Sequence, residues 1–361
     1  MVEVADIFRL HGPDYRAKFS DRMLPSHRRA MEDIECCRTE ALGGQLYFCD
    51  QCQERLYSYH SCKNRHCPKC QNDQANEWLD NQKSLLLPVS YFMVTFTLPE
   101  ELRSLARSEQ RIIYNILFRA SSEALLELAC DPRFVGGKIG MVGVLHTWTR
   151  DLFYHPHVHY IATGGGLSAD GLWLNSRQGF LVHVKPLSIL FRAKFRDLLK
   201  QRELFHLVDP QVWSKDWVVH SQPVGSGQAA FKYLAPYIFR VAISNRRIIA
   251  LEDGQVTFSY KDSATDQTRY STISAEEFIR RFLQHALPKG LVKVRYYGLL
   301  AASNRHLLDQ ARRLLNPILA QSSPSNADCQ RKATVDPPRC PKCGAALKLV
   351  ERLKPKTRWP P

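Results

Sequence analysis

The stretch His155-Pro156-His157-Val158-His159-Tyr160-Ile161-Ala162-Thr163-Gly164-Gly165-Gly166 decides how the rest of the chain is read. Residues two apart on a β-strand point to the same face. His157 and His159 therefore present two imidazoles side by side, with Val158 turned into the core behind them. His155 shares that parity, but Pro156 puts it at or before the start of the strand. Paired imidazoles on a rigid strand make a metal platform, because neutral imidazole is the commonest protein ligand for divalent transition metals. One His-x-His by itself fits a His-rich surface strand equally well. A tyrosine pair downstream, in Tyr233-Leu234-Ala235-Pro236-Tyr237, shifts the balance toward chemistry.

Outward from the histidines, the pattern from Ser90 onward is that of an α+β domain. Tyr91 to Pro99 is β-branched and aromatic and reads as a buried strand. Residues 107–129 place Ile113, Ile116, Leu117, Ala120 and Ala124 at helical spacing. Ile139 to Trp148 is a second strand and 156–163 the third, joined by a short turn and so paired antiparallel. A helix over 186–206 and a fourth strand at Trp217 to Ser221 complete the set. The order strand, helix, strand, strand, helix, strand predicts a ferredoxin-like antiparallel sheet with helices on one face and the histidines on a central strand. After Gly225-Ser226-Gly227 the pattern gives a helix bearing both tyrosines, then a hairpin from Arg247 to Tyr260 turning at Asp253-Gly254. A helical segment at 275–286 leads to the basic aromatic run Lys293-Val294-Arg295-Tyr296-Tyr297. Residues 321–339 are Ser- and Pro-rich and read as a linker.

The cysteines point to a second chemistry. Seven of the 11 lie between Cys36 and Cys70, two pairs of them as Cys-x-x-Cys, which suits metal thiolates in a reducing compartment. Cys49-x-x-Cys52 and Cys67-x-x-Cys70 are separated by 14 residues, the spacing of a small ribbon-like module holding one structural zinc. Cys37, Cys62, His60 and His66 remain as candidate ligands of a second ion. The tail knuckle Cys340-x-x-Cys343 is half of another site; Cys329 is a candidate third ligand, and the tail offers no fourth. The chain carries 50 Lys plus Arg against 35 Asp plus Glu, a net charge of +15. Such a field favours a polyanion, most often nucleic acid. No apolar run is long enough for a membrane span and the N-terminus lacks a signal-peptide pattern, so the expected location is the cytoplasm, on the nucleoid in a prokaryote.

Paired histidines, paired tyrosines, a zinc module and a basic surface together suggest cleavage of a DNA strand. A divalent metal would polarise the scissile phosphate. Tyrosine, with an ordinary pKa near 10, would need orientation and deprotonation to attack. Tyr233 and Tyr237 are four apart and share a helix face, although Pro236 between them kinks that helix.

The order and wording of these segments resemble the rolling-circle transposases of the two-tyrosine HUH class, of the insertion-sequence ninety-one type. The resemblance runs through Cys37 to Gly44, Asn64-Arg65-His66-Cys67-Pro68-Lys69-Cys70-Gln71 and Val94 to Pro99. It continues through His157-Val158-His159, Tyr233 with Tyr237, Val241 to Arg247, and Leu287-Pro288-Lys289-Gly290. It implies an RRM-like HUH nuclease fold, nicking and joining of single-stranded DNA at transposon ends and in target DNA, a tyrosine nucleophile and a 5′-phosphotyrosine intermediate. It also implies Mg2+ or Mn2+ on His157 and His159. The motif leaves the third ligand open; His146 is the candidate, with His155 and Gln228 as alternatives. Arg65, Lys69, Lys232, Arg246, Arg247, Lys293 and Arg295 are the candidate DNA contacts. The corresponding domains are a basic helical lead-in over 1–34, a zinc-binding module over 35–75, a catalytic domain over 76–320 and a linker with basic tail over 321–361. A zinc hydrolase is disfavoured because Ile161 stands where such sites add an aspartate. A non-catalytic zinc-dependent DNA-binding protein would leave the histidines and tyrosines idle. A replication initiator or relaxase would share the chemistry.

Overall fold

The computed structural model describes residues 2–70, 85–226, 241–262, 265–316 and 338–356. The chain opens with helices α1 (Val4–Phe19) and α2 (Pro25–Cys36). Pro25 occupies the first helical turn of α2, where its missing N–H would have had no helical partner. A hairpin of β1 (Gly44–Cys49) and β2 (Glu54–Tyr59) follows. Next come β3 (Ser90–Thr97), α3 (Arg103–Ser108), α4 (Gln110–Cys130), β4 (Lys138–Trp148), β5 (Tyr154–Leu167), β6 (Trp173–Asn175), α5 (Val184–Gln201) and β7 (Val219–Ser226). The remainder holds β8 (Ile248–Glu252), β9 (Gln255–Lys261), β10 (Thr268–Ser274), α6 (Ala275–Leu283), β11 (Val294–Gly298), α7 (Arg305–Leu315) and β12 (Lys348–Leu353).

The central sheet runs β11-β4-β5-β3-β7, with antiparallel neighbours throughout and β6 paired to the end of β5. Thus the histidine strand β5 is flanked on both sides. The basic aromatic run 293–297 lies largely in an edge strand of this sheet, with Val294 opposite Val144 and Gly298 opposite Gly140. The helix expected over 107–129 is broken at Glu109, whose φ of −114° and ψ of 45° separate α3 from α4.

Alternation along the strands gives the sheet two buried faces. Phe92, Val94 and Phe96 of β3 and Val158, Tyr160 and Ala162 of β5 pack under α4 and α5. Tyr91, Met93, Val142, Val144 and Ile161 face the other way, where Leu308 and Ala311 of α7 meet them. Helices on one face therefore describes the two long helices, while α7 covers part of the opposite face. Tyr160 ties the sheet to α4: its hydroxyl lies 2.8 Å from Ser121 Oγ and donates to the Phe118 carbonyl at 3.2 Å. Its ring crosses Gly143, where an added Cβ would stand 2.4 Å from the ring edge.

A second core joins the two ends of the fold. Val4, Ile7 and Phe8 of α1 pack with Met31 and Ile34 of α2, with Phe278 and Phe282 of α6, and with Phe258 of the sheet β10-β9-β8. Phe8 and Phe282 meet edge to face at 5.2 Å. Cys37, Cys67, Cys70, Trp148 and Leu152 belong to the same cluster. The third sheet runs β12-β1-β2, so a strand from the C-terminal tail pairs with the N-terminal hairpin. Among the described residues, no helix is long and apolar enough to cross a membrane.

Candidate metal centre

His157 and His159 share the face of β5 opposite α4 and α5, because Val158 and Tyr160 between and after them point into that helical core. Antiparallel register sets His146 of β4 directly across from His157. One ring nitrogen from each of His146, His157 and His159 lies within 4.8 Å of the others. The rings stand steeply to one another, with centroids 4.7 Å apart for His157 and His159, 4.9 Å for His146 and His159, and 5.4 Å for His146 and His157. His146 and His159 are only 3% and 9% exposed.

The imidazole tautomers follow from their partners. His157 Nδ1 sits 2.6 Å from the His155 carbonyl, which can only accept, so Nδ1 carries the proton and Nε2 the lone pair. His159 Nδ1 lies 2.8 Å from Thr95 Oγ1. Such outer partners orient metal-binding imidazoles and raise their basicity. His146 stacks on Trp148 at 4.7 Å, which holds its ring plane. His155, the alternative ligand on the same strand, is turned to Arg103, which donates to its Nδ1 at 2.9 Å. Burial, then the Arg103 charge, pushes the His155 pKa down. Three imidazole nitrogen donors on two rigid strands fit a divalent transition ion.

The cysteines are arranged differently from the expected ribbon. Cys49, Cys52, Cys67 and Cys70 do not form one set. Cys67 and Cys70 join Cys37 and Cys62, whereas Cys49 and Cys52 join Cys340 and Cys343. Zinc–sulfur bonds of about 2.3 Å in a tetrahedron put sulfurs about 3.8 Å apart. The sulfurs of Cys37 and Cys70 are 3.5 Å apart and those of Cys62 and Cys70 3.6 Å. In the other group Cys49 and Cys343 stand at 3.6 Å and Cys52 and Cys340 at 3.9 Å. Both donor sets suit zinc. The physical reason for the regrouping is the hairpin: β1 and β2 hold the first knuckle at their turn, and β12 brings the tail knuckle beside it. His66 belongs to neither group; its Nε2 accepts from the Leu287 amide at 3.1 Å.

Most of the basic candidates are engaged with protein. Arg65 donates to the carbonyls of Leu291 at 2.6 Å and Pro288 at 2.9 Å. Lys69 pairs with Glu3 at 2.5 Å. Arg247 donates to the Ser259 carbonyl at 2.7 Å, and Arg295 to Asn115 at 2.6 Å. Arg246 is exposed. Lys293 lies over the Trp148 ring at 5.2 Å, and burial with the Arg65 charge lowers its pKa to about 7. Tyr233, Tyr237, Lys232, Gln228 and Cys329, the helix expected after Gly227 and nearly all of the expected linker lie outside the described residues. Sequence reading missed Trp148 and Thr95 as supports of the histidines. The strand periodicity that assigned His157 could have found Thr95 only once the register was known.

Comparison with known proteins agrees with this architecture. Residues 7–98 match a family model described as "Transposase zinc-binding domain", and residues 140–306 match one described as "Putative transposase". The chain is 40% identical over 349 residues to "Putative transposase y4qJ" of Sinorhizobium fredii, covering 91% of this chain and 87% of that protein. It is 28% identical over 350 residues to the "Transposase for insertion sequence element IS801" of Pseudomonas savastanoi pv. phaseolicola, covering 86% and 80%. The first model takes in all seven N-terminal cysteines, and the second takes in all three converging histidines. The chain belongs to the transposases of the insertion-sequence ninety-one type that carry a zinc-binding domain ahead of the transposase domain.

Proposed function

We propose that this transposase nicks and rejoins single-stranded DNA by the HUH mechanism, acting at transposon ends and in target DNA during rolling-circle transposition. The observation that carries the reading is the convergence of His146, His157 and His159 on one face of a central antiparallel pair. In order of appearance, the second, third, first and fourth of the expected strands lie side by side, the succession of a ferredoxin-like sheet, which supports an HUH assignment. His146, His157 and His159 are the residues that would hold a catalytic ion. Once bound, a divalent metal there supplies Lewis-acid polarisation of the scissile phosphate and charge stabilisation at the leaving oxygen. Imidazole donors admit Mn2+ more readily than Mg2+, which would rely more on water and phosphate oxygens.

Tyr233 is the proposed nucleophile. Its deprotonated oxygen attacks phosphorus, the bond to the 3′ oxygen breaks, and the products are a 5′-phosphotyrosine and a free 3′-OH. The exchange keeps the phosphodiester energy for rejoining, and Tyr237 serves the second transesterification. His157 and His159 take no part in holding the DNA backbone in this reading. The test is incubation of full-length protein with labelled single-stranded terminal DNA and Mn2+, followed by denaturing electrophoresis and peptide mapping. A covalent adduct on Tyr233, lost in Tyr233→Phe, is the expected result. An adduct on Tyr237 alone exchanges the two roles, and absence of any tyrosine adduct refutes the mechanism.

A further inference from the structure

We infer that Cys49, Cys52, Cys340 and Cys343 bind a second zinc ion, assembled from the two ends of the chain, which clasps the C-terminal tail to the N-terminal module. The tail knuckle lies outside both matched family regions, which end at residues 98 and 306. Four thiols converge with sulfur separations of 3.6 and 3.9 Å, near the edge of a zinc–thiolate tetrahedron.

Three independent features show a surface shaped for the tail. First, β12 pairs antiparallel with β1 from Gly44 opposite Leu353 to Phe48 opposite Lys348. A two-stranded hairpin alone is marginal in water, so β1 and β2 gain their third strand from the far end of the sequence. Second, tail lysines pair with module acids: Lys342 with Glu54 at 2.5 Å, Lys348 with Asp50 at 2.6 Å and Lys356 with Glu40 at 2.6 Å. Third, Gly43 sits at a φ of +68°, and a Cβ there would meet the Leu353 carbonyl at 2.5 Å and Pro355 N at 2.8 Å. The tail backbone occupies the space a side chain would need. The small core around the knuckles is likewise shared, with Cys49 from the module packed against Cys340 and Leu347 from the tail.

The two thiolate pairs are reciprocal, so each end of the chain needs the other to complete four ligands. Zinc would therefore load this site only after the whole chain is present, whereas Cys37, Cys62, Cys67 and Cys70 can load from the N-terminal segment alone.

The test counts zinc in freshly purified, reduced full-length protein carrying His157→Ala, which removes the histidine site from the tally. Elemental analysis should find two ions per chain, one for each four-cysteine group. Cys340→Ser with Cys343→Ser should leave one, Cys49→Ser with Cys52→Ser should leave one, and the four changes together should still leave one. Hydrogen exchange supplies a readout free of stoichiometry: amides of Lys348–Leu353 should lose protection in either pair of variants, including the pair whose changes lie only in the module. Retention of two ions without the tail cysteines would overturn the proposal, as would unchanged protection of β12 in both variants. Light scattering on the same samples guards against exchange of tails between copies: a dimer that dissociates on zinc removal would also overturn it. Because none of these readouts involves DNA, they stand or fall apart from the nicking chemistry.

Discussion

At the scale of single residues, histidines do opposite jobs on either side of Trp148, whose ring meets His146 at 4.7 Å and His285 at 5.9 Å. His157 and His159 converge with His146 in a group that could hold a cation, and in the proposed mechanism their removal should separate catalysis from DNA binding. On the proposed mechanism, His157→Ala and His159→Ala should each abolish cleavage in Mn2+ while single-strand affinity stays within a few-fold and keeps the steep salt dependence expected of a chain of net charge +15. Cleavage near the wild-type rate by either variant would place the metal elsewhere. His285 is the contrasting case. It is buried between Trp148 and Tyr154, its Nε2 donates to the Leu152 carbonyl at 3.3 Å, and burial lowers its pKa to about 4. Between pH 6.5 and 4 the unfolded chain takes up this proton and the native chain does not. Stability therefore falls as pH falls through that window, by on the order of 3 kcal/mol for this group at full effect. Urea unfolding at pH 7 and pH 5 should show a smaller acid loss for His285→Gln than for the wild type. Equal losses would mean that His285 already carries its proton in the native protein.

At the scale of elements, register is what turns a sequence motif into a site. The alternation in His157-Val158-His159 was legible because one side chain in two enters the helical core. The third histidine followed from the expected hairpin of β4 with β5, and the register supplied its position opposite His157. By contrast, β11 was not legible as a strand: it is five residues long, partly buried at every position rather than in alternation, and punctuated by Arg295, so its pattern carries little periodicity. The cysteine groups misled for a related reason. Knuckle spacing reports which pairs exist, but which pair meets which depends on strand pairing between segments some 290 residues apart, about which spacing says nothing. The packing behind the histidines offers an element-scale test. Gly143 lies opposite Tyr160, and a Cβ there would stand 2.4 Å from the Tyr160 ring. Gly143→Ala should destabilise the protein by about 1–3 kcal/mol through overpacking. Pairing it with Tyr160→Leu should recover part of that loss in urea unfolding; additive losses would show that the ring is not the obstacle.

At the scale of the whole molecule, the zinc module and the histidine centre share a core rather than lying in series along the chain. Cys37, Cys67 and Cys70 pack in one cluster with Phe8, Ile34, Phe282 and Trp148, and Trp148 stacks on His146 at 4.7 Å. Structural zinc typically contributes ~10–16 kcal/mol in small domains. Loss of that ion should therefore loosen α1 and α2, remove the support beneath α6, and free the indole that fixes the His146 ring. The central sheet, with its own core under α4 and α5, should survive. Cys67→Ser tests this ordering in one protein. Circular dichroism should retain the strand signal, hydrogen exchange should show α1 deprotected, and Mn2+ affinity at the untouched histidines should fall several-fold by electron paramagnetic resonance. Trp148→Phe keeps a ring beside His146 without disturbing any thiolate, so it should weaken Mn2+ binding less than Cys67→Ser and leave α1 protected. If Cys67→Ser binds Mn2+ as tightly as the wild type while α1 exchanges freely, the two metal centres are mechanically independent and Trp148 is a neighbour of His146 rather than its brace.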